Sequence, residues 1–253
     1  MSDPLAEGEL IVVGRFREAS NVTLLADATL GDTAVRCIYK PIAGERPLWD
    51  FPDGTLAGRE VAAYRVARAL GWDLVPRTIL REGPHGPGMV QEWVEEEGDE
   101  PVTVSRVDEV PPGFLVVLHG EDGEGTEVVV AHRDSDELRR MAVLDVLLNN
   151  ADRKGGHILT VGDAVMGVDH GICFHQAPKL RTVLWGWAGE PIPDELVDDV
   201  RRWAESADAY AELGELLTSG DLDALRARVE SLLREPVMPE PALDRHAVPW
   251  PLF

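Results

Sequence analysis

Lysine is scarce in this chain: of its 24 basic residues only Lys40, Lys154 and Lys179 are lysine, the rest being arginine. An arginine-biased genome explains the scarcity but not where the three lysines stand. Cysteine is scarcer still. Cys37 and Cys173 lie in apolar, strand-like surroundings without metal-ligand spacing, so reduced core thiols of a cytoplasmic protein are expected. No run of about 18 apolar residues occurs, which excludes a membrane-spanning helix. The start, MSDPLAEGEL, lacks the basic-then-apolar pattern of a secretory leader. Basic charge is short as well, with 24 basic against 46 acidic residues and a net charge of −22. Such a surface repels phosphate backbones and anionic head groups, so neither nucleic acid nor a stable membrane association is expected. Solvation of a soluble protein accounts for the acidity equally well. What the chain does have is 253 residues at 44% hydrophobic content, enough for one two-lobed domain or two small ones.

The first 94 residues read as mainly β. LIVVGRF, VTLLADATL and TAVRCIYK are rich in branched aliphatics and are separated by REASN and by the Gly31-Asp32 turn. TLAGREVAAYRVARALGW predicts a helix with Thr55 or Asp53 as N-cap and Gly71 as its stop. Its stripe is Leu56, Ala63, Ala67 and Leu70, with Arg65 and Arg68 facing away. DLVPRTIL and GMVQEWV read as two further strands. The charged, turn-rich EEEGDEP, residues 95–101, is the boundary candidate, giving a small unit of 1–94 and a larger one of 95–253. FLVVLHGEDGEGTEVVVAH reads as a hairpin, SDELRRMAVLDVLLNN as a helix capped by Ser135, and HILTVGDAVMGVDH as two short strands. DELVDDVRRWAESADAYAEL and DLDALRARVESLLRE read as helices, and the Pro-rich end as an extended tail. The fold class expected is α+β.

Polar chemistry gathers at a few points. Lys40 ends the strand CIYKP, where an ammonium either reaches solvent or meets an anion. Glu60 falls inside the apolar stripe of its helix, where a carboxylate needs a positive partner. A strand lysine followed 20 residues later by a helix glutamate is an arrangement that places a lysine on nucleotide phosphates. NNADRKGGHIL and GVDHGICF set Asp152 and Asp169 17 residues apart around a hairpin. As a pair they can accept a proton from a hydroxyl and hold a divalent cation; as ordinary turn aspartates they do neither. Asp145, on the apolar face of its helix, reads as a buried anion pairing with Arg153. His157 is open between metal ligand, substrate contact and a polar residue packed behind the loop. Trp185 and Trp187 read as packing rather than as a base-stacking platform.

Together LDVLLNNADRKGGHIL and GVDHGICF resemble the catalytic loop and D-x-G segment of the phosphatidylinositol 3-/4-kinase-like branch of the protein-kinase fold. The resemblance runs from about residue 10 to about 215, and the arginine-heavy usage agrees with an actinobacterial branch. It implies a two-lobed fold with a β-rich N-lobe and a mainly helical C-lobe. It also implies an ATP-dependent phosphotransferase using Mg²⁺, with Mn²⁺ as the alternative. By the resemblance Lys40 contacts the α/β-phosphates and Glu60 orients it. Ser20 and Asn21 of REASN cover the phosphates, and Gln91, Glu92, Trp93 and Val94 form the segment that reads adenine. Asp152 is the catalytic base and Asp169 the principal metal ligand. Two departures stand out: His157 takes the place of the family's second ligand, an asparagine, and REASN lacks phosphate-loop glycines. Magnesium prefers oxygen donors. A nucleotide-binding pseudokinase scaffold and an adenylyl transferase on the same fold are therefore the alternatives. The expected acceptor is a protein hydroxyl or a small metabolite rather than a lipid.

Overall fold

A computed structural model describes residues 3–17, 19–52, 55–242 and 246–253. A one-turn helix α1 (Pro4–Glu7), capped by Asp3 with Pro4 in its first turn, leads into three antiparallel strands. These are β1 (Glu9–Phe16), β2 (Thr23–Leu30) and β3 (Thr33–Pro41). Gly31 makes the β2–β3 turn with a positive φ of 60°, a conformation that costs glycine little. Helix α2 (Leu56–Ala69) follows, then the hairpin β4 (Thr78–Gly83) and β5 (Gly86–Glu92). The sheet order is β1-β2-β3-β5-β4, antiparallel throughout.

Strand periodicity decides what each face of this sheet holds. Cys37 and Tyr39 point to one side, where they are buried with Leu5, Leu24, Ala26, Ala28 and Val90 under α1. Ile38 and Lys40 therefore point to the other. Helix α2 starts at Thr55, whose hydroxyl accepts the amide of Gly58 at 2.9 Å; Asp53, the other cap candidate, lies outside the described residues. The single apolar stripe expected for α2 is too narrow. Ala57, Arg59, Glu60, Val61, Ala62, Ala63, Val66 and Ala67 are all buried, because the helix lies between the sheet and the rest of the chain. Arg59 meets this burial by pairing with Asp221 at 2.9 Å.

The chain beyond holds a second sheet, with strands β6 (Val102–Arg106), β7 (Phe114–Glu121) and β8 (Glu127–Arg133) in the order β6-β8-β7. Strand β6 was not anticipated. Helix α3 (Asp136–Leu148) is capped by Ser135 and ends at Asn149 in the left-handed conformation, φ 51°. The short hairpin β9 (Ile158–Val161) and β10 (Ala164–Gly167) comes next, followed by α4 (Asp194–Ala204) and α5 (Ser219–Arg234). Two expectations need correction. Residues 73–77 are not strand, since Pro76 offers no ladder donor; Leu74 and Val75 instead cross the core, and the Leu74 carbonyl accepts from Gly167 at 2.7 Å. The helix beginning at Asp194 stops at Ala204, where Ser206 and Asp208 turn the chain and Trp203 packs on Tyr210 at 5.3 Å.

The molecule is α+β, with a β-rich N-terminal part set on a mainly helical C-terminal part. A continuous core joins α2 to α3, α4 and α5. The cleft between the sheet and that core is where the ends of β3 and β5 meet the loops after α3 and β10.

Candidate active site

Each polar side chain of the cleft is delivered by an element whose local logic is plain. Lys40, the penultimate residue of β3, faces the cleft by strand alternation and places Nζ 2.7 Å from Glu60 Oε1 and 2.7 Å from Asp169 Oδ1. Glu60 is 2% exposed on α2. Burial pushes its carboxyl up, and Lys40 opposes that. Burial alone would lower Lys40, but Asp169 and Glu60 outweigh it and raise the ammonium above its ordinary value. Lys40 in turn holds Asp169 well below the usual carboxylate range. Asp169 has a positive φ of 59°, which aspartate tolerates better than most residues.

Asp152 lies on the loop leaving α3. Its amide is held by Asn150 Oδ1 at 3.0 Å, and Lys154 Nζ stands 3.6 Å from its carboxylate. Burial, reinforced by the charge of Asp169 and opposed by Lys154, raises its pKa to about 6. His157 Nδ1 donates to the Asp152 carbonyl at 2.8 Å. Burial lowers this imidazole's pKa, so near neutral pH its Nε2 carries a lone pair, 3.5 Å from Asp169 Oδ2. These two atoms are the donors that this corner of the cleft offers a cation. Among the described residues no group of three or more His, Cys, Asp or Glu gathers to hold a metal; this pair needs ligand or water oxygens to complete a coordination shell.

Behind the loop lies a structural anchor. Arg153, with no exposed surface, bonds Asp145 at 2.9 Å, the carbonyls of His157 and Val168 at 3.1 and 3.4 Å, and His170 Nε2 at 2.7 Å. The pairing of Asp145 with Arg153 read from the sequence is found. The extent of the hub, which ties α3 to both ends of the β9–β10 hairpin, was not foreseen. Trp187 is buried and donates to Asp134, as packing requires.

Two cavities converge on Lys40 and Asp169. The larger, about 810 Å³, is walled by Phe16, Ile38, His157, Leu159 and the segment Gln91–Val94. The smaller, about 490 Å³, is lined by Ser20, Asn21, Glu60 and Asp152. Lys40, Glu60 and Asp169 thus touch, with Asp152 and His157 beside them. Ser20 and Asn21 line the smaller cavity, whereas Gln91, Glu92, Trp93 and Val94 line the larger. Two of these side chains are engaged internally: Gln91 donates to Thr78 at 2.8 Å and Asn21 accepts the Arg46 amide at 2.8 Å. Lys154 and Lys179 were not marked as site residues, although the scarcity of lysine was a signal for both. Lys179 Nζ bonds Asp50 at 2.6 Å, latching the loop after β3 to the segment after Asp169.

No family model matches the chain. Over 160 residues, 58% of its length, it is 27% identical to phosphatidylinositol 4-kinase gamma 7 of Arabidopsis thaliana, and the match spans 24% of that longer protein. The crystal structure of the Helicobacter pylori proinflammatory kinase CtkA is similar at a TM-score of 0.45 and 10% identity, over 92% of this chain and 94% of that one. Protein Rv2133c of Mycobacterium tuberculosis is 53% identical over 262 aligned positions, 98% of this chain and 94% of the relative. With more than half of its residues shared from end to end, the chain belongs to the family of this mycobacterial protein.

Proposed function

We propose that this chain is an ATP-dependent phosphotransferase whose acceptor is a protein hydroxyl or a small metabolite. One observation carries the reading. Lys40 sits 2.7 Å from both Glu60 and Asp169 where two cavities meet, and Asp152 lines the smaller of them. The similarity to the plant 4-kinase supports it at the level of kinase-like phosphotransfer. In this reading the nucleotide base takes the larger cavity beside Gln91–Val94, and the phosphates reach Lys40, which Glu60 holds in place. The backbone of Ser20 and Asn21 covers them from the smaller cavity. The acceptor hydroxyl enters by the smaller cavity and gives its proton to Asp152 as its oxygen bonds the γ-phosphorus; the bond from that phosphorus to the ADP oxygen breaks in line. Asp169 and His157 would hold Mg²⁺ or Mn²⁺, which supplies neutralisation of phosphate charge. Among the described residues no helix is long and apolar enough to cross a membrane, and the net charge of −22 disfavours an anionic lipid surface as acceptor.

The test is incubation of wild type and Asp169→Asn with γ-labelled ATP and Mg²⁺ or Mn²⁺. Label is followed on the chain, on small molecules and as free phosphate. Transfer by wild type alone supports the reading; equal transfer by both ends it. A second reading, nucleotide binding without transfer, is favoured by the imidazole of His157 facing Asp169, since nitrogen is a poor magnesium donor. Thermal stabilisation by ATP with no label transfer selects it. Transfer from α-labelled but not γ-labelled ATP selects adenylyl transfer.

A further inference from the structure

The loop that carries Asp152 is gripped from outside by the end of the chain. The amide of Gly155 donates to the Leu252 carbonyl at 2.8 Å. The Phe253 ring covers Gly155 so closely that a Cβ there would overlap it, and its backbone lies against Gly156. Further back, the Ala247 carbonyl accepts both the amide of Thr182 at 3.1 Å and the indole of Trp185 at 2.9 Å. Thr182 itself bridges Arg153. Residues 153–155, 181–185 and 247–253 therefore run together as three bonded segments. Leu252 packs against the main core, while Phe253 is 50% exposed.

No residue of 246–253 lines either cavity that meets at Lys40. The segment braces the loop from its outer side and does not plug the cleft. What it braces is the turn from Lys154 to His157. One end of that turn faces the Asp152 carboxylate at 3.6 Å, and the other holds the Asp152 carbonyl at 2.8 Å and faces Asp169. Glycine at 155 gives the middle of the turn no side chain of its own to pack, and the Phe253 ring fills that place.

We propose that Leu252 and Phe253 are positioning residues, setting Lys154 and His157 against Asp152 through the Gly155–Gly156 turn. Its catalytic consequence rests on the phosphotransfer reading above; its structural half does not. Phe253→Ala in the full chain is the main test, with Gly155→Ala as the second variant because it disturbs the same contact from the other side. Each is expected to lower kcat for label transfer about tenfold, with KM for ATP changed by less than about twofold, the pattern of a misplaced reacting group. The double variant should be no slower than the slower single one, since both remove one contact. Hydrogen exchange supplies a readout independent of turnover: residues 152–157 should exchange faster in Phe253→Ala, with α2 and α5 unchanged. Unaltered exchange at 152–157 overturns the proposal, whether or not the wild type transfers phosphate. A rise in kcat overturns it in favour of an autoinhibitory segment. An equal fall in kcat and in thermal stability, with exchange faster throughout, reduces the contact to ordinary packing and overturns it as well. A wild type that transfers no label sinks the phosphotransfer reading, and the exchange result still decides this one.

Discussion

Two ion-pair systems lie on either side of the Asp152 loop, and they are built on opposite terms. Arg153 and Asp145 have no exposed side-chain surface. The guanidinium finds acceptors in Asp145, two carbonyls and His170, while Asp145 also receives Asn150 at 2.9 Å. Every nitrogen of the guanidinium and both oxygens of Asp145 are engaged, and the one open atom is the buried Nδ1 of His170 at the edge of the system. In the cleft, one ammonium serves two carboxylates, and one of them, Asp169, is half exposed with its second oxygen facing a lone pair of His157. That system carries surplus negative charge toward the cavities. The contrast separates fold from function: a satisfied pair in low dielectric holds a loop, whereas an unsatisfied one at a cavity wall is available to a ligand.

The comparison can be broken at several points, beginning with the buried pair. Asp145→Ala leaves Arg153 charged and dry, and should cost about 3–5 kcal/mol in denaturant unfolding. Asp169→Asn should lower transfer by roughly 10³-fold while reducing Tm far less than Asp145→Ala does. A large Tm loss there would show that the cleft triad is structural after all. The pH dependence is next. With Asp152 at about 6, kcat/KM should rise tenfold per unit below that value and level off above it. Stability must run the other way. The folded carboxyl holds its proton at pH values where the unfolded chain, near 3.8, has lost it, so Asp152 lowers stability as pH climbs from about 4 to about 6. Asp152→Asn should abolish both trends. The smallest effect is expected at the surface pair Arg36–Asp27, 2.9 Å apart and open to solvent. Arg36→Ala should shift Tm by no more than about a degree.

Much of this was legible locally. The alternation in TAVRCIYK implied that Lys40 leaves the face occupied by Cys37 and Tyr39, and a glutamate amid alanines implied a partner for Glu60. Ser135 and Thr55 marked helix starts because a cap is settled within four residues. The errors have a shared cause. Residues 73–77 looked extended, but whether extended backbone joins a ladder depends on a neighbouring strand. Strand β6 was missed for the converse reason, since it exists through its pairing with β8. The stripe on α2 was drawn too narrow because a helix buried on several sides has no polar face to read. At the site, the hub role of Arg153 and the brace at Leu252 and Phe253 left no local pattern, since their partners lie far along the chain.

Composition and periodicity alone determined that this is an acidic α+β chain with strands first, helices later and polar loops at 149–157 and 167–171. Those properties depend on backbone preference and on which faces must leave water, and both act over a few residues. Only the tertiary structure decided that Lys40, Glu60 and Asp169 touch, that Asp152 opens on a different cavity from Gln91–Val94, and that residue 253 rests on residue 155. Such contacts join segments up to 129 residues apart, and they form because packing two parts into one core leaves few arrangements in which every buried charge finds a partner.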